Sequence, residues 1–289
     1  MKVEEMTTIN EAYFRPRLLE RESNSHKGDY GHLLIVAGCQ RMPGAAVLAT
    51  GAALRSGCGL VTLHSTRRAL QAAINLFPSA MLSEDPSEQL SRLPDSGVAK
   101  YDAIAAGPGL GREPQTGEAL KHLLTEAKEN SIPMVIDADA LTLIALDEEL
   151  KGLIPPGSVL TPHLGELRRL IPFETEKQKE AGIRELCERY GCVLVEKGFH
   201  SKLFTPEGDC LENSSGNPGM AKGGSGDVLT GLVGGLLARG YEAADAAALG
   251  VWIHGYAGDA LTAEKTAEAY DSAALIEKLH CGFRKLCDL

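Results

Sequence analysis

The chain has 289 residues, 44% of them hydrophobic and 24% charged, and its 29 Lys and Arg against 39 Asp and Glu leave a formal net charge of −10. Such a composition belongs to a folded globular protein and excludes an intrinsically disordered or collagen-like chain, and the acidic balance argues against general nucleic-acid binding, which needs a basic footprint. Its seven cysteines form no C-x-x-C pair, so neither a zinc ribbon nor a disulfide framework is expected, and a reducing cytoplasm fits best.

From the N-terminus, residues 1–24 are rich in charge and hold no apolar stretch of the signal-peptide kind; they are expected to form an arm or an extra helix outside the main sheet. Residues 25–289 are expected to form a single domain. Short apolar runs predict strands over 32–37, 60–64, 102–106, 134–137, 159–161 and 193–196, then a hairpin of 202–205 and 210–213 turned at Pro206, Glu207 and Gly208. Between them, 3.6-residue patterns predict helices over 45–56, 66–75, 115–130, 139–146, 164–170, 176–190, 225–239, 243–261 and 272–287. Apolar strands alternating with helices imply an α/β fold with a mostly parallel sheet covered on both faces. The longest nearly apolar run, 228–238, is about half of the ~20 residues a membrane-spanning helix needs, so no membrane partner is expected.

In open α/β sheets ligands bind beyond the carboxyl ends of the strands, and four loops there carry candidate chemistry. Residues 216–227 read Gly-Asn-Pro-Gly-Met-Ala-Lys-Gly-Gly-Ser-Gly-Asp and feed a helix. The amides of Gly223, Gly224, Ser225, Gly226 and Asp227 would there form an anion site. Asp227, held ionised by the helix dipole, would be a weak base at rest, useful once a substrate hydroxyl is pressed against it as a phosphoryl acceptor. The competing expectation is that Ser225 or Asp227 merely caps the helix. The G-x-x-x-x-G-K-[ST] spacing of P-loop enzymes is absent. Gly107-Pro108-Gly109-Leu110-Gly111 follows an apolar strand and is either a strand-exit turn or a substrate-facing backbone loop. In Asp137-Ala138-Asp139, Asp139 is read as the cap of the next helix, and the two carboxylates could also hold a ligand or magnesium. Thr161-Pro162-His163-Leu164-Gly165-Glu166 offers His163 to an amide or phosphate, and Glu166 to hydrated magnesium or to the first turn of a helix. Lys197, within Glu196-Lys197-Gly198-Phe199-His200-Ser201, is either an exposed lysine or a point charge for phosphate.

Taken together, these motifs resemble the ribokinase-like superfamily and, more narrowly, the ADP-dependent NAD(P)H-hydrate dehydratase family. The likeness is carried by His26-Lys27-Gly28-Asp29-Tyr30-Gly31-His32, Pro43-Gly44-Ala45-Ala46, Ala53-Leu54-Arg55-Ser56-Gly57, the Gly-Pro-Gly-Leu-Gly loop, Asp137-Ala138-Asp139-Ala140-Leu141, Thr161-Pro162-His163 through Glu166, and 216–227. It implies a three-layer α/β/α fold and dehydration of the S-epimer of hydrated NADH or NADPH, with ADP as phosphoryl donor and Mg2+ beside its phosphates. By the same resemblance, Ala45, Gly109, Gly111, His163 and Asp227 would contact the hydrated dinucleotide. Lys197, Gly198, Phe199, His200, Ser201 and Gly226 would lie at the nucleotide. His163 stands where sugar kinases commonly carry Asn, which favours the dehydratase branch and leaves a metal role for Glu166 less firmly indicated. A homotetramer or homodimer and a separate epimerase chain are also implied. The alternatives are a ribokinase-like kinase of a small vitamin-precursor alcohol and a nucleotide-binding module without turnover; the latter needs an anion hole but no carboxylate beside it.

Overall fold

The computed structural model describes residues 7–287. Its strands are β1 (Thr7–Ile9), β2 (His32–Val36), β3 (Leu60–Thr66), β4 (Met81–Asp85), β5 (Ala103–Ala106), β6 (Met134–Ile136), β7 (Val159–Leu160), β8 (Val193–Glu196), β9 (Lys202–Phe204) and β10 (Cys210–Asn213). They form one sheet in the order β1-β10-β9-β8-β7-β6-β5-β2-β3-β4. Every pairing is parallel except the two made by β9, with β8 and with β10. The helices are α1 (Glu11–Phe14), α2 (Pro43–Ala53), α3 (Arg67–Leu76), α4 (Pro114–Glu129), α5 (Ala138–Leu146), α6 (Glu148–Gly152), α7 (Leu164–Leu170), α8 (Glu176–Tyr190), α9 (Ser225–Ala238), α10 (Ala243–Glu264) and α11 (Ser272–Cys287).

The expected three-layer architecture follows from strict side-chain alternation in the strands. Leu33, Ile35, Ala103, Ala105, Val135 and Val193 enter one core with α2, α9, α10 and α11. Leu34, Val36, Ile104, Met134, Ile136 and Leu194 enter the other with α4, α5, α7 and α8. Both faces being buried, the central strands are apolar throughout, which is why they are legible as runs.

Two strands were not expected. β4, with sequence MLSED, lies at one edge and is exposed along most of its length; polar edge strands give no apolar run. β1 lies at the other edge, with Thr7, Thr8 and Ile9 paired to Leu211, Glu212 and Asn213. Part of the N-terminal arm therefore belongs to the sheet rather than lying outside it, and buried Ile9 and Phe14 anchor it to the core.

The chain runs β2, β3, β4 outward, then returns to place β5 on the other side of β2. Between β2 and β5 the strand order reverses, and such a reversal opens a crevice at the carboxyl ends. The loops after β2, β5, β6, β7 and β8 all discharge into this region. The first turn of α9 closes it from above.

Candidate active site

Gly107 leaves β5 with φ +134°, a conformation open to glycine, and a Cβ there would lie 1.8 Å from the backbone oxygen of Asp137. The β5 and β6 exits are thus in direct backbone contact. This sets Asp137 beneath α9. Its side chain, 2% exposed, accepts from Lys197 Nζ at 2.7 Å through Oδ1 and from Thr230 Oγ1 of α9 at 2.8 Å through Oδ2. A Cβ on Gly226 would sit 3.3 Å from Lys197 Nζ and 3.5 Å from Asp137 Oδ2. Gly226 therefore lies directly on this ion pair. Lys197 is not an exposed lysine; it ties the β8 exit to the β6 exit and the helix start.

The helix start is open. Gly224, at φ +91°, is its cap residue and no side chain caps it, so the expectation that Ser225 or Asp227 caps α9 is not met. The Ser225 amide donates to the Lys222 oxygen at 3.3 Å, and the amides of Gly226 and Asp227 remain for an anion. The preceding loop is braced from behind. Asn217 Nδ2 and the Gly216 amide donate to Asp259 of α10 at 2.8 and 2.9 Å. Lys222 Nζ holds the backbone oxygens of Ala267 and Tyr270 at 2.8 and 2.6 Å. Ser272 Oγ donates to the Gly223 oxygen at 2.8 Å.

Asp227, one residue past Gly226, departs from the sequence expectation. Burial, then the charge of Asp137, push its pKa from 3.8 to about 6; Lys197 opposes this and Asp139 adds to it. The helix dipole does not prevail, because two carboxylates stand nearby and water is partly excluded. A carboxyl poised near neutrality is what a general base requires.

Ala45 of α2 and Gly109 are neighbours: a Cβ on Gly109 would be 2.9 Å from Ala45 Cβ. The Gly111 amide donates to Asp139 Oδ2 at 3.0 Å. Asp139 is thus a ligand of the β5 exit loop, and Asp137, without a side-chain cap bond, occupies the helix-cap position instead. A cavity of about 650 Å3 is lined by His163, Lys197, Gly198, Phe199, Ser201, Ser225 and Gly226, with Asp227 one residue beyond its lining. His200 lies behind it, its Nδ1 at 3.2 Å from the Asn213 oxygen and its ring against Phe199. Gly223 and Gly224 shape the turn without lining the cavity. Sequence reading missed its floor, where Asn213, Ser215, Val251 and His254 meet. His254 Nε2 lies 3.3 Å from Ser225 Oγ, and burial lowers its pKa to about 4; the one signal was a histidine inside an otherwise apolar helix.

His163 and Glu166 serve each other. His163 Nδ1 accepts from the Gly165 amide at 2.9 Å, Glu166 Oε2 accepts from the His163 amide at 3.0 Å, and Glu166 Oε1 lies 3.3 Å from His163 Nε2. This reciprocal cap starts α7. Among the described residues no group of three His, Cys, Asp or Glu could hold a metal ion.

A family model described as NAD(P)H-hydrate dehydratase matches residues 33–280. The chain belongs to that family. An ADP-dependent (S)-NAD(P)H-hydrate dehydratase of Neisseria meningitidis is 36% identical over 247 residues, covering 83% of this chain and 80% of that protein. A bifunctional NAD(P)H-hydrate repair enzyme of Moorella thermoacetica is 37% identical over 96% of this chain; the match takes in 54% of that protein, so the chain spans about half its length. Among solved structures, an ADP/ATP-dependent NAD(P)H-hydrate dehydratase of Bacillus subtilis, co-crystallised with ATP/Mg2+, superposes with a TM-score of 0.81 at 29% identity, covering 98% of this chain and 99% of that one. A ribokinase-like superfamily protein of Enterococcus faecalis superposes at 0.84 with 26% identity, covering 99% and 98%. The dehydratase family thus has here a ribokinase-like three-layer fold, as the motifs implied. No described helix is long and apolar enough to cross a membrane.

Proposed function

We propose that this member of the dehydratase family converts the S-epimer of hydrated NADH or NADPH back to NAD(P)H, using ADP and releasing AMP and phosphate. The observation that carries the proposal is Asp227: a carboxyl tuned to about 6, on the first turn of a helix with no side-chain cap, one residue past Gly226 in the lining of a cavity of about 650 Å3.

The hydrated ring carries its hydroxyl on C6, next to the ring nitrogen. Asp227 accepts that proton as the C6 oxygen attacks the terminal phosphorus of ADP and the bond to the bridging oxygen breaks, leaving AMP. The amides at the start of α9 and Lys197 hold the charge that builds on the transferring group. The ring-nitrogen lone pair then expels phosphate from C6, and a proton leaves the neighbouring carbon to restore the dihydronicotinamide. Phosphorylation matters because hydroxide is a poor leaving group and phosphate a good one.

Ala45, Gly109, Gly111 and His163 are assigned to the dinucleotide, and Lys197, Gly198, Phe199, Ser201, Ser225 and Gly226 to ADP, with His200 behind and with Gly223 and Gly224 shaping the turn that brings the helix start to it. Both oxygens of Glu166 already face His163, so the protein's own groups make no magnesium cage; magnesium is assigned to the nucleotide's phosphates, where it commonly keeps its waters. We also propose a cytoplasmic setting, a homodimer or homotetramer, and an epimerase activity that supplies the S-epimer.

The direct test is recovery of NAD(P)H absorbance from the hydrate with ADP and ATP in competition. Recovery faster with ADP, with one phosphate released per NAD(P)H formed, supports the proposal. Phosphorylation of a small alcohol to a stable product, with the hydrate untouched, supports the kinase alternative instead.

The pH profile supplies a second test. Asp227 acts as the carboxylate, so the rate falls as pH drops through its folded pKa of about 6 rather than through the usual carboxylate range. Asp137→Asn removes the charge that most raises Asp227 and leaves Lys197 as an unpaired cation beside it. The acid limb of kcat/KM is therefore expected to move to lower pH in this variant; an unmoved limb removes Asp227 from the assignment.

A further inference from the structure

A second cavity, of about 690 Å3, lies at the opposite end of the fold from the crevice. It is enclosed by the N-terminal arm, Gly57 ahead of β3, and the last residues of α9 and α11. Four of its twelve lining residues are arginines, Arg15, Arg21, Arg55 and Arg239, against one carboxylate, Glu20, in a chain whose net charge is −10.

Part of this positive charge serves the fold. Arg21 donates to the Gly57 oxygen at 2.5 Å and lies 3.9 Å over the Tyr30 ring. Arg239 donates to the Leu19 oxygen at 2.5 Å, and Arg55 to the Gly51 oxygen at 3.1 Å and to Glu277 at 2.5 Å. These bonds pin the arm but leave a surplus of donors, since each guanidinium carries five N–H groups. Arg15 has no hydrogen bond or ion pair among the described residues. Among the described residues Arg239 Nε is buried without an acceptor, so it is the terminal nitrogens of this guanidinium that would serve a ligand. The opposite wall is apolar, with Leu18, Phe283 and Leu286.

Guanidinium forks match phosphate geometry, and an apolar wall facing them suits a ring. The volume lies within the range of about 300–1,000 Å3 typical of small-molecule sites. We propose that this cavity is a second ligand site, taking a nucleoside phosphate with its phosphates on Arg15, Arg55 and Arg239 and its base against Phe283. Arg239 caps the C-terminal end of α9 and Ser225 opens the other. Fourteen residues rising about 1.5 Å each separate the two sites by roughly 20 Å. This inference does not depend on the dehydratase activity.

The test titrates ADP and inorganic pyrophosphate into the full chain by calorimetry, in the wild type and in R15S/R55S, with R15S alone as the variant least able to disturb the fold. The wild type is expected to take two ADP per chain. In R15S/R55S one of the two sites should weaken at least tenfold, and in R15S the same site should weaken less. Identical ADP stoichiometry and affinities in the wild type and the double variant overturn the site. Pyrophosphate binding this site as tightly as ADP overturns the assignment of the apolar wall. If the crevice takes no ADP, the wild type binds one and the double variant loses it, an outcome that leaves this site standing and counts against the proposed activity.

Discussion

Asp227→Asn is expected to lower turnover of the hydrate about 10²–10⁴-fold, the range for loss of a general base, while making the folded protein more stable. The two effects share one cause. Burial and the charge of Asp137 lift the Asp227 carboxyl from 3.8 to about 6, so the fold disfavours its ionised form. For a raised carboxyl, the cost of holding the charge is fully present above the folded pKa and disappears below the unfolded one. At 1.36 kcal/mol per pH unit this cost is about 3 kcal/mol at neutral pH. An amide of the same shape carries none of it, so a denaturation midpoint measured at pH 7–8 should rise in the variant. At pH 3 the difference should vanish, because the native carboxyl is then protonated as well. Turnover within tenfold of wild type contradicts the base assignment. A stability loss at neutral pH contradicts the electrostatic account. Active sites commonly trade stability for function in this way.

Gly231→Ala is expected to be severely damaging for a single added methyl. A Cβ on Gly231 would lie 2.0 Å from the Ala49 oxygen and 2.8 Å from its Cα. Both are backbone atoms of α2, and no side chain can swing aside. One turn on, a Cβ at Gly235 would lie 2.0 Å from Ser56 Oγ, so the i and i+4 glycines of α9 form the groove in which α2 rests. The i+3 glycine, Gly234, faces the sheet, where its Cβ would meet Ala105 Cβ at 2.8 Å. Relief requires α9 and α2 to part. Overpacking of this kind costs about 1–3 kcal/mol, more where neighbours are rigid. Because α9 carries Asp227 and α2 carries Ala45, the movement also widens the crevice. Thermal unfolding and KM for the hydrate should therefore worsen together. A variant with the wild-type melting temperature would show that the α2–α9 contact is not the rigid element inferred here.

The glycine clusters at 107–111 and 216–226 and the Asp227 carboxylate were legible because their geometry is local. A glycine-rich run before an apolar helix makes an anion site wherever the chain goes next. Strands buried on both faces were legible for the same reason, as were the helices over 164–170, 176–190 and 272–287, which match α7, α8 and α11 to the residue. Edge strands β1 and β4 were not, since their stability comes from a neighbour's hydrogen bonds rather than from their own side chains. His254 was passed over because a histidine in an apolar helix gives no hint of which loop it will meet.

The sequence by itself determined the alternation of strand and helix, the two-faced sheet and the glycine-rich turn that opens α9. These depend on residue periodicity and on glycine's backbone freedom, both properties of short segments. Only the tertiary structure decided the electrostatics. Asp137 meets Lys197 across sixty positions of chain and Thr230 across ninety-three. A pKa is set by the charges and the solvent around a group, and no local stretch of sequence contains those neighbours.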